Sequence, residues 1–293
     1  MNTAPGPTNT VPGLPPDRPY HRLARATTYR WWLPLIELVY FAIAAVLLIA
    51  GVNAALPDGI AHLIEQGGAA SLIGLSLIFA ALIPAAKLAA AASGRGPVGL
   101  SSVIGRVRWR WLVRCTVVAL VVYAVLIPVD LAIAPQPIAW PGWTTFAPLG
   151  LAVLVFIPLQ AAGEEYAFRG TLLQALGAWI PVSWVAVAIS SVMFAVVHGL
   201  GPEGFVAILG SGLVMGWLAI RTGGLEASIA LHAVNNVSGF MLSAAFGASD
   251  TWLSQLNHDI SWASAGLGVV FQVVYAAIVV RRCGDIAVRS PGS

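Results

Sequence analysis

The chain has 293 residues, 58% of them hydrophobic and 9% charged, with a formal net charge of +3 and a mean hydropathy of +0.85. Soluble domains carry about 25% charged residues, so a water-soluble enzyme, a nucleic-acid binder and a disordered tail protein are all poor fits. The composition is that of an all-α, polytopic integral membrane protein, and so small a positive excess predicts no polyanion partner.

The first 20 residues hold six prolines, and Arg18, Arg22, Arg25 and Arg30 precede the first apolar run. Residues 1–30 therefore read as a flexible cytoplasmic tail rather than a cleaved signal peptide. A hydrocarbon core of about 30 Å needs roughly 20 apolar residues at 1.5 Å each. Eight stretches qualify: 31–52, 69–91, 111–131, 146–178, 182–199, 204–220, 225–246 and 262–280. Their connections are short and rich in Gly, Pro, Ser and Trp, with no inserted domain and no internal repeat. This predicts a single transmembrane domain over residues 31–282, a motif core at 146–246, and a cytoplasmic tail at 283–293.

Basic residues orient spans toward the cytoplasm. Of the fifteen Lys and Arg, four precede the first span, Lys87 through Arg114 surround the second connection, Arg169 and Arg221 come later, and Arg281, Arg282 and Arg289 finish the chain. The alternate connections carry Asp58, Glu65, Asp130, Glu203, Asp250 and Asp259 instead. Both termini are thus expected in the cytoplasm, with an even number of spans. Cys115 and Cys283 lie far apart beside arginine-rich segments, so no disulfide is expected.

An ionisable group inside a span costs about 2.5–3.5 kcal/mol on insertion scales and faces a cavity, a partner or a function. Such groups cluster here. Glu164, Glu165 and Arg169 fall in an otherwise apolar helix from about Phe156 to Leu176. Glu165 and Arg169 are four apart, in the favourable acid-first order, and can pair; Glu164 points about 100° away and is left for chemistry. The bland alternative is a structural ion pair with a snorkelling acid.

The next span ends in Phe194-Ala195-Val196-Val197-His198-Gly199, where a lone histidine is ordinarily a polar anchor. Its position changes that weighting. Glu164 and His198 each lie 17 residues from Pro181, the expected hairpin tip, so both stand about 25 Å from it on opposite arms. His232 and Asn236, four apart, share one face of a later helix, with Asn235 the neighbouring alternative; such residues also serve merely to pack helices. His232 lies only about 13 Å from the Arg221–Gly224 turn. The depths agree if the hairpin at residues 172–183 projects beyond the membrane and the break at Gly199–Pro202 is sunk within it.

The pattern E-E-x-x-x-R, F-x-x-x-H, H-x-x-x-N in successive apolar helices, over roughly Phe156 to Phe240, resembles the CPBP family. This is the CAAX protease and bacteriocin-processing group, also called Abi or type II CAAX prenyl endopeptidase-like intramembrane proteases. Each motif alone is weak and the trio is strong. The resemblance implies an endopeptidase with a polar intramembrane cavity, in which Glu164 with His198 activates a water. His232 and Asn236 would then stabilise the oxyanion, and Glu165 with Arg169 would support the site. The chemistry is sound on general grounds, since hydrolysis needs a base and donors for the developing charge, and no Ser or Cys accompanies the cluster as a nucleophile. Zinc is the alternative cofactor: Glu164, His198 and His232 could supply three ligands with an open fourth position, and the family is often named as metalloproteases. The H-E-x-x-H helix of zinc peptidases is absent and asparagine suits an oxyanion donor, so a metal-independent mechanism is favoured.

The implied partners are the bilayer and a peptide or membrane-associated protein as substrate, without assuming that a prenyl group is recognised. Arginine-over-lysine and alanine-rich usage hints at a GC-rich bacterial genome. Two other classes compete. A proton-coupled transporter also buries Glu, His and Arg, but would be expected to show inverted repeats and paired broken helices. A catalytically idle immunity or scaffold relative would have no need of intact motifs. Outside the cluster, Glu37 reads as a snorkelling acid, His62, His258 and Asp259 as outer-loop groups, and Gly210, Gly212 and Gly216 as helix-packing positions. Arg106–Trp111 reads as a basic segment facing anionic lipid, and tryptophans near the span ends, Trp111 among them, as an aromatic belt.

Overall fold

The computed structural model describes residues 18–25, 30–133, 135, 139–245 and 261–282. The chain is an all-helical, polytopic membrane protein. Its helices are α1 (Leu33–Ala55), α2 (Gly59–Glu65), α3 (Gly68–Ala80), α4 (Leu82–Ala92), α5 (Val98–Ser101), α6 (Trp109–Ile133), α7 (Trp143–Glu165), α8 (Leu173–Trp179), α9 (Ser183–His198), α10 (Pro202–Thr222), α11 (Glu226–Ala245) and α12 (Trp262–Arg282). A π-helical segment, Tyr166–Leu172, joins α7 to α8. Among the described residues the sole strand-like pairing is an isolated bridge between Ser102 and Gly224.

Helices occupy the places of all eight expected spans, but among the described residues six helical runs are long and apolar enough to cross a membrane. The two that fall short have physical reasons. α9 has 16 residues, about 24 Å at 1.5 Å each, and α11 carries Glu226, His232, Asn235 and Asn236 along its length. Both bear motif residues: α9 is apolar but short, and in α11 the polar groups dilute the hydropathy. The helical run Trp143–Trp179 has 37 residues, or about 55 Å, nearly twice the thickness of a hydrocarbon core of about 30 Å.

The surplus of that run is wrapped by protein. Leu173, Gln174, Ala175 and Ala178 of α8 are buried, and Gln174 donates to the Gly99 carbonyl at 3.0 Å while accepting from Arg95. Arg95 also donates to Glu37, through Nε at 2.9 Å and through Nη2. Glu37 is therefore a buried, paired acid in place of a snorkelling one. The basic segment is corrected in part as well. Arg108 grips Glu226 through Nε and Nη2 at 2.9 and 2.6 Å, and Trp111 sits in the core, whereas Arg106 and Arg110 are exposed.

The expected tail also reaches the fold. Tyr20–Arg22 forms a 3-10 turn that packs on α8, with Tyr20 fully buried and His21, Leu23 and Ala24 nearly so. The Tyr20 hydroxyl donates to the Leu100 carbonyl at 2.5 Å. A tail that was flexible throughout could not bury an aromatic ring, so residues 20–24 belong to the packed domain. Burial holds the His21 imidazole below its ordinary value, so acidification through about pH 6.5 works against this docking. His62 is exposed, 3.9 Å from Asp58; His258, Asp259 and Cys283 lie outside the described residues. Gly212 and Gly216 face Ser191 and Val187, and Gly210 faces Val269, so that stripe packs α10 between α9 and α12.

A side chain at position 177 would put its Cβ 1.9 Å from the His21 carbonyl oxygen. Gly177→Ala is expected to displace the Tyr20–Arg22 turn while leaving the helical content unchanged. Limited trypsinolysis checks this: the Arg22 bond is cut faster in the variant than in the wild type.

Candidate active site

The site is built where α7 runs into the π segment. Gly163 makes this approach possible, because a Cβ there would stand 2.0 Å from the Phe79 carbonyl at the end of α3. The contact leaves the two residues that follow, Glu164 and Glu165, buried in the interior. π-segments are frequent at functional sites, and the freed backbone groups of this one are met locally. Thr171 donates to the Tyr166 carbonyl at 3.1 Å, and Ser190 of α9 donates to the Phe168 carbonyl at 3.1 Å.

The two glutamates diverge as their spacing predicts. Glu165 Oε1 accepts from Arg169 Nη1 and from His232 Nδ1, each at 2.9 Å. Removing one partner from so buried a pair costs about 3–5 kcal/mol, so this trio holds α7, the π segment and α11 together. Glu164 turns instead toward Gln160, whose amide nitrogen donates to Oε1. Its other oxygen, Oε2, is buried with no hydrogen-bond partner. That oxygen stands 3.7 Å from His232 Nε2 and 3.9 Å from His198 Nε2.

The tautomers follow from the far side of each ring. His198 Nδ1 lies 2.6 Å from the Phe194 carbonyl oxygen and donates to it, as His232 Nδ1 donates to Glu165. In their neutral forms both imidazoles thus present a lone pair at Nε2. Three acceptors converge on one small volume, at separations too long for direct hydrogen bonds. Such a place is suited to a molecule with two protons to give.

Phe194 keeps these groups in register. The Arg169 guanidinium lies over its ring at 4.3 Å, and the His198 and His232 rings pack edge-on to it at 4.5 and 5.9 Å. His198 ends α9, with Gly199 in the left-handed region at φ 64°. Asn236, one turn beyond His232 on the same face, donates to Gln160 Oε1 at 3.1 Å. Beside the cluster lies a cavity of about 350 Å³, lined by Glu164, His198, His232 and Asn236 together with apolar groups such as Phe79, Phe168 and Phe240. All four residues expected to do chemistry line it, and Glu165 and Arg169 stand behind them.

Two features escaped the sequence. Gln160 carried a signal, a carboxamide one turn before Glu164 inside an apolar span. The π segment carried none, since its sequence is compatible with an α-helix.

Zinc would find two imidazole lone pairs and a carboxylate oxygen here, a donor set right in kind. Ligand atoms around a tetrahedral zinc stand about 3.3–3.4 Å apart, given bonds of about 2.0–2.1 Å, and those found are farther apart. Among the described residues no group of three or more His, Cys, Asp or Glu side chains is placed to hold a metal ion. The residues as arranged do not fit the ion.

No solved structure matches the chain. The Bacillus subtilis (strain 168) protein YyaK, described as uncharacterized, is 34% identical over 93 residues, covering 29% of this chain and 31% of the relative. The chain thus spans about a third of that relative's length. Residues 143–238, which carry all three motifs and every group that converges on Glu164, match the family described as type II CAAX prenyl endopeptidase Rce1-like, the family that these motifs resemble.

Proposed function

We propose that the protein is an intramembrane endopeptidase that hydrolyses a peptide bond with a water activated by Glu164 and His198. The carrying observation is the convergence of Glu164 Oε2, His198 Nε2 and His232 Nε2, three acceptors 3.7 and 3.9 Å apart around the carboxylate. A water seated among them donates one proton to Glu164, while its oxygen is aimed toward the cavity. As that oxygen attacks the scissile carbonyl carbon, Glu164 takes the proton and the carbonyl oxygen gains negative charge. Asn236 has a second N–H beyond the one given to Gln160 and supplies a donor for that oxyanion; His232 joins it in the form that has taken up a solvent proton at Nε2, a proton it keeps through the cycle. The protonated Glu164 then returns its proton to the leaving amine as the C–N bond breaks. The water's OH ends on the new carboxyl group and its remaining proton on the new amine.

Glu165 and Arg169 act behind this, fixing His232 in its tautomer and orientation. No step is routed through a metal: the donor set is right for zinc in kind, but its atoms stand too far apart as arranged. The substrate is a peptide or membrane-associated protein whose scissile bond enters a largely apolar chamber. The fifteen-residue charge distribution favours cytoplasmic termini, and with them a chamber served from the cytoplasmic side.

Purified protein incubated with a peptide library and read by mass spectrometry tests the assignment. Glu164→Gln is expected to lower kcat by about 10²–10⁴-fold, the range for loss of a general base, with Asn236→Ala lowering it by about 10²–10³-fold. Cleavage undiminished in Glu164→Gln removes the base. Treatment with a strong zinc chelator is expected to leave the rate unchanged; loss of activity on chelation, with recovery on added zinc, selects the metal-dependent reading.

A further inference from the structure

The chamber wall between α6, α7 and α11 carries a run of neutral polar side chains that the steps above leave unexplained. The Tyr123 hydroxyl on α6 donates to Asn235 Oδ1 at 2.6 Å. Asn235 Nδ2 donates to Asn236 Oδ1 at 3.0 Å, and Asn236 Nδ2 to Gln160 Oε1 at 3.1 Å. Gln160 Nε2 completes the series by donating to Glu164 Oε1.

The direction of every link follows from the last. An ionised carboxylate only accepts, so Gln160 must turn its NH2 to Glu164 and its carbonyl to Asn236. Asn236 must then give a proton to Gln160 and accept from Asn235, and Asn235 must accept at its own carbonyl. Reversing any one amide would set two donors or two acceptors face to face. The series ends at a phenol, which has one proton to give.

We propose that Tyr123, Asn235 and Gln160 are positioning residues. Together they form a one-way chain of hydrogen bonds that pins Oε1 of Glu164, leaves Oε2 facing the two imidazoles, and sets the direction of the Asn236 amide. The proposal rests on the hydrolytic reading of the site and extends it to α6, because Tyr123 lies outside the segment that matches the family. Geometry carries the argument: Gln160 and Tyr123 share no direct hydrogen bond, and two asparagines connect them. Glu164 on α7 and the Asn236 amide on α11, base and one oxyanion donor, are joined through Gln160. Neutral groups do this without placing a further charge beside Glu164, Glu165 and Arg169.

A mutant cycle on the full-length protein tests the chain. Gln160→Met, close in volume, is expected to lower kcat by about 10–100-fold, as a misaimed base does, with KM changed by no more than about twofold. Tyr123→Phe is expected to cost a smaller factor of the same kind. The double variant should be no slower than Gln160→Met alone, because a chain broken at Gln160 has nothing left to transmit. Losses that multiply in the double variant, or that fall on KM with kcat kept, overturn the proposal. Asn235→Leu, nearly isosteric, neutral and without the donor to Asn236, replaces Gln160→Met in the cycle if that variant does not fold.

Infrared difference spectra separate this proposal from the reading beneath it. Subtracting Glu164→Gln from wild type identifies the Glu164 carboxylate stretch, which is expected to shift in Gln160→Met and, less, in Tyr123→Phe. An unshifted band overturns the chain whether or not peptides are cleaved. A shifted band in a protein that cleaves nothing overturns the hydrolytic reading and leaves the chain standing.

Discussion

A carboxylate withdrawn from water must find hydrogen-bond donors, and nearly everything around this site answers that requirement. Glu165 meets it with Arg169 and His232, Glu226 with Arg108, and Glu37 with Arg95. Each pair ties together parts of the chain distant in sequence, or adjoining helical segments whose junction needs fixing. Glu164, Glu165 and Asp130 each keep one oxygen buried and unmet. Of the three, Glu164 lines the cavity, with its unmet oxygen 3.7 and 3.9 Å from two imidazole nitrogens, and that setting suits an outside molecule.

The paired acids also explain how so polar an arrangement survives among apolar helices. His232 is held by Glu165 on one side, which leaves its other nitrogen for the chamber. His198 is held by the backbone of its own helix. Phe194 touches both rings and the Arg169 guanidinium, so the aromatic of the F-x-x-x-H motif is a spacer for three polar groups at once. Neighbours in sequence thus face opposite ways, Glu164 toward the cavity and Glu165 toward the protein, as the proposed division of function and support requires.

Much of this was legible because charge stands out against an apolar background. Glu164, Glu165, Arg169 and His198 declare themselves by being costly where they are, and equal distances from Pro181 place carboxylate and imidazole in one layer. Neutral amides and phenols declare little: Gln160 and Tyr123 look like ordinary packing residues until the partners of both ends are known. Glu37 and Arg108 were misread for a related reason, since an acid or a base near a span end looks like an interfacial group unless its partner, 58 or 118 residues away, is in view. The docking of Tyr20 was hidden by the prolines around it, which signal an extended chain without saying whether that chain lies on something. Of the helices that carry the motifs, α9 misses the length of a span and α11 misses its hydropathy, because polar residues lower the average there.

The π segment at Tyr166–Leu172 has a meaning beyond local geometry. A continuous α-helix advances 100° per residue, so its two ends are locked in azimuth and any change at one rotates the other. Seven residues wound more loosely turn through a smaller angle each and so offset that phase. The face that α7 shows to the cavity and the face that α8 shows to the N-terminal turn thus stand in a relation that an uninterrupted α-helix of the same residues would not give, as a washer under one gear changes which teeth meet.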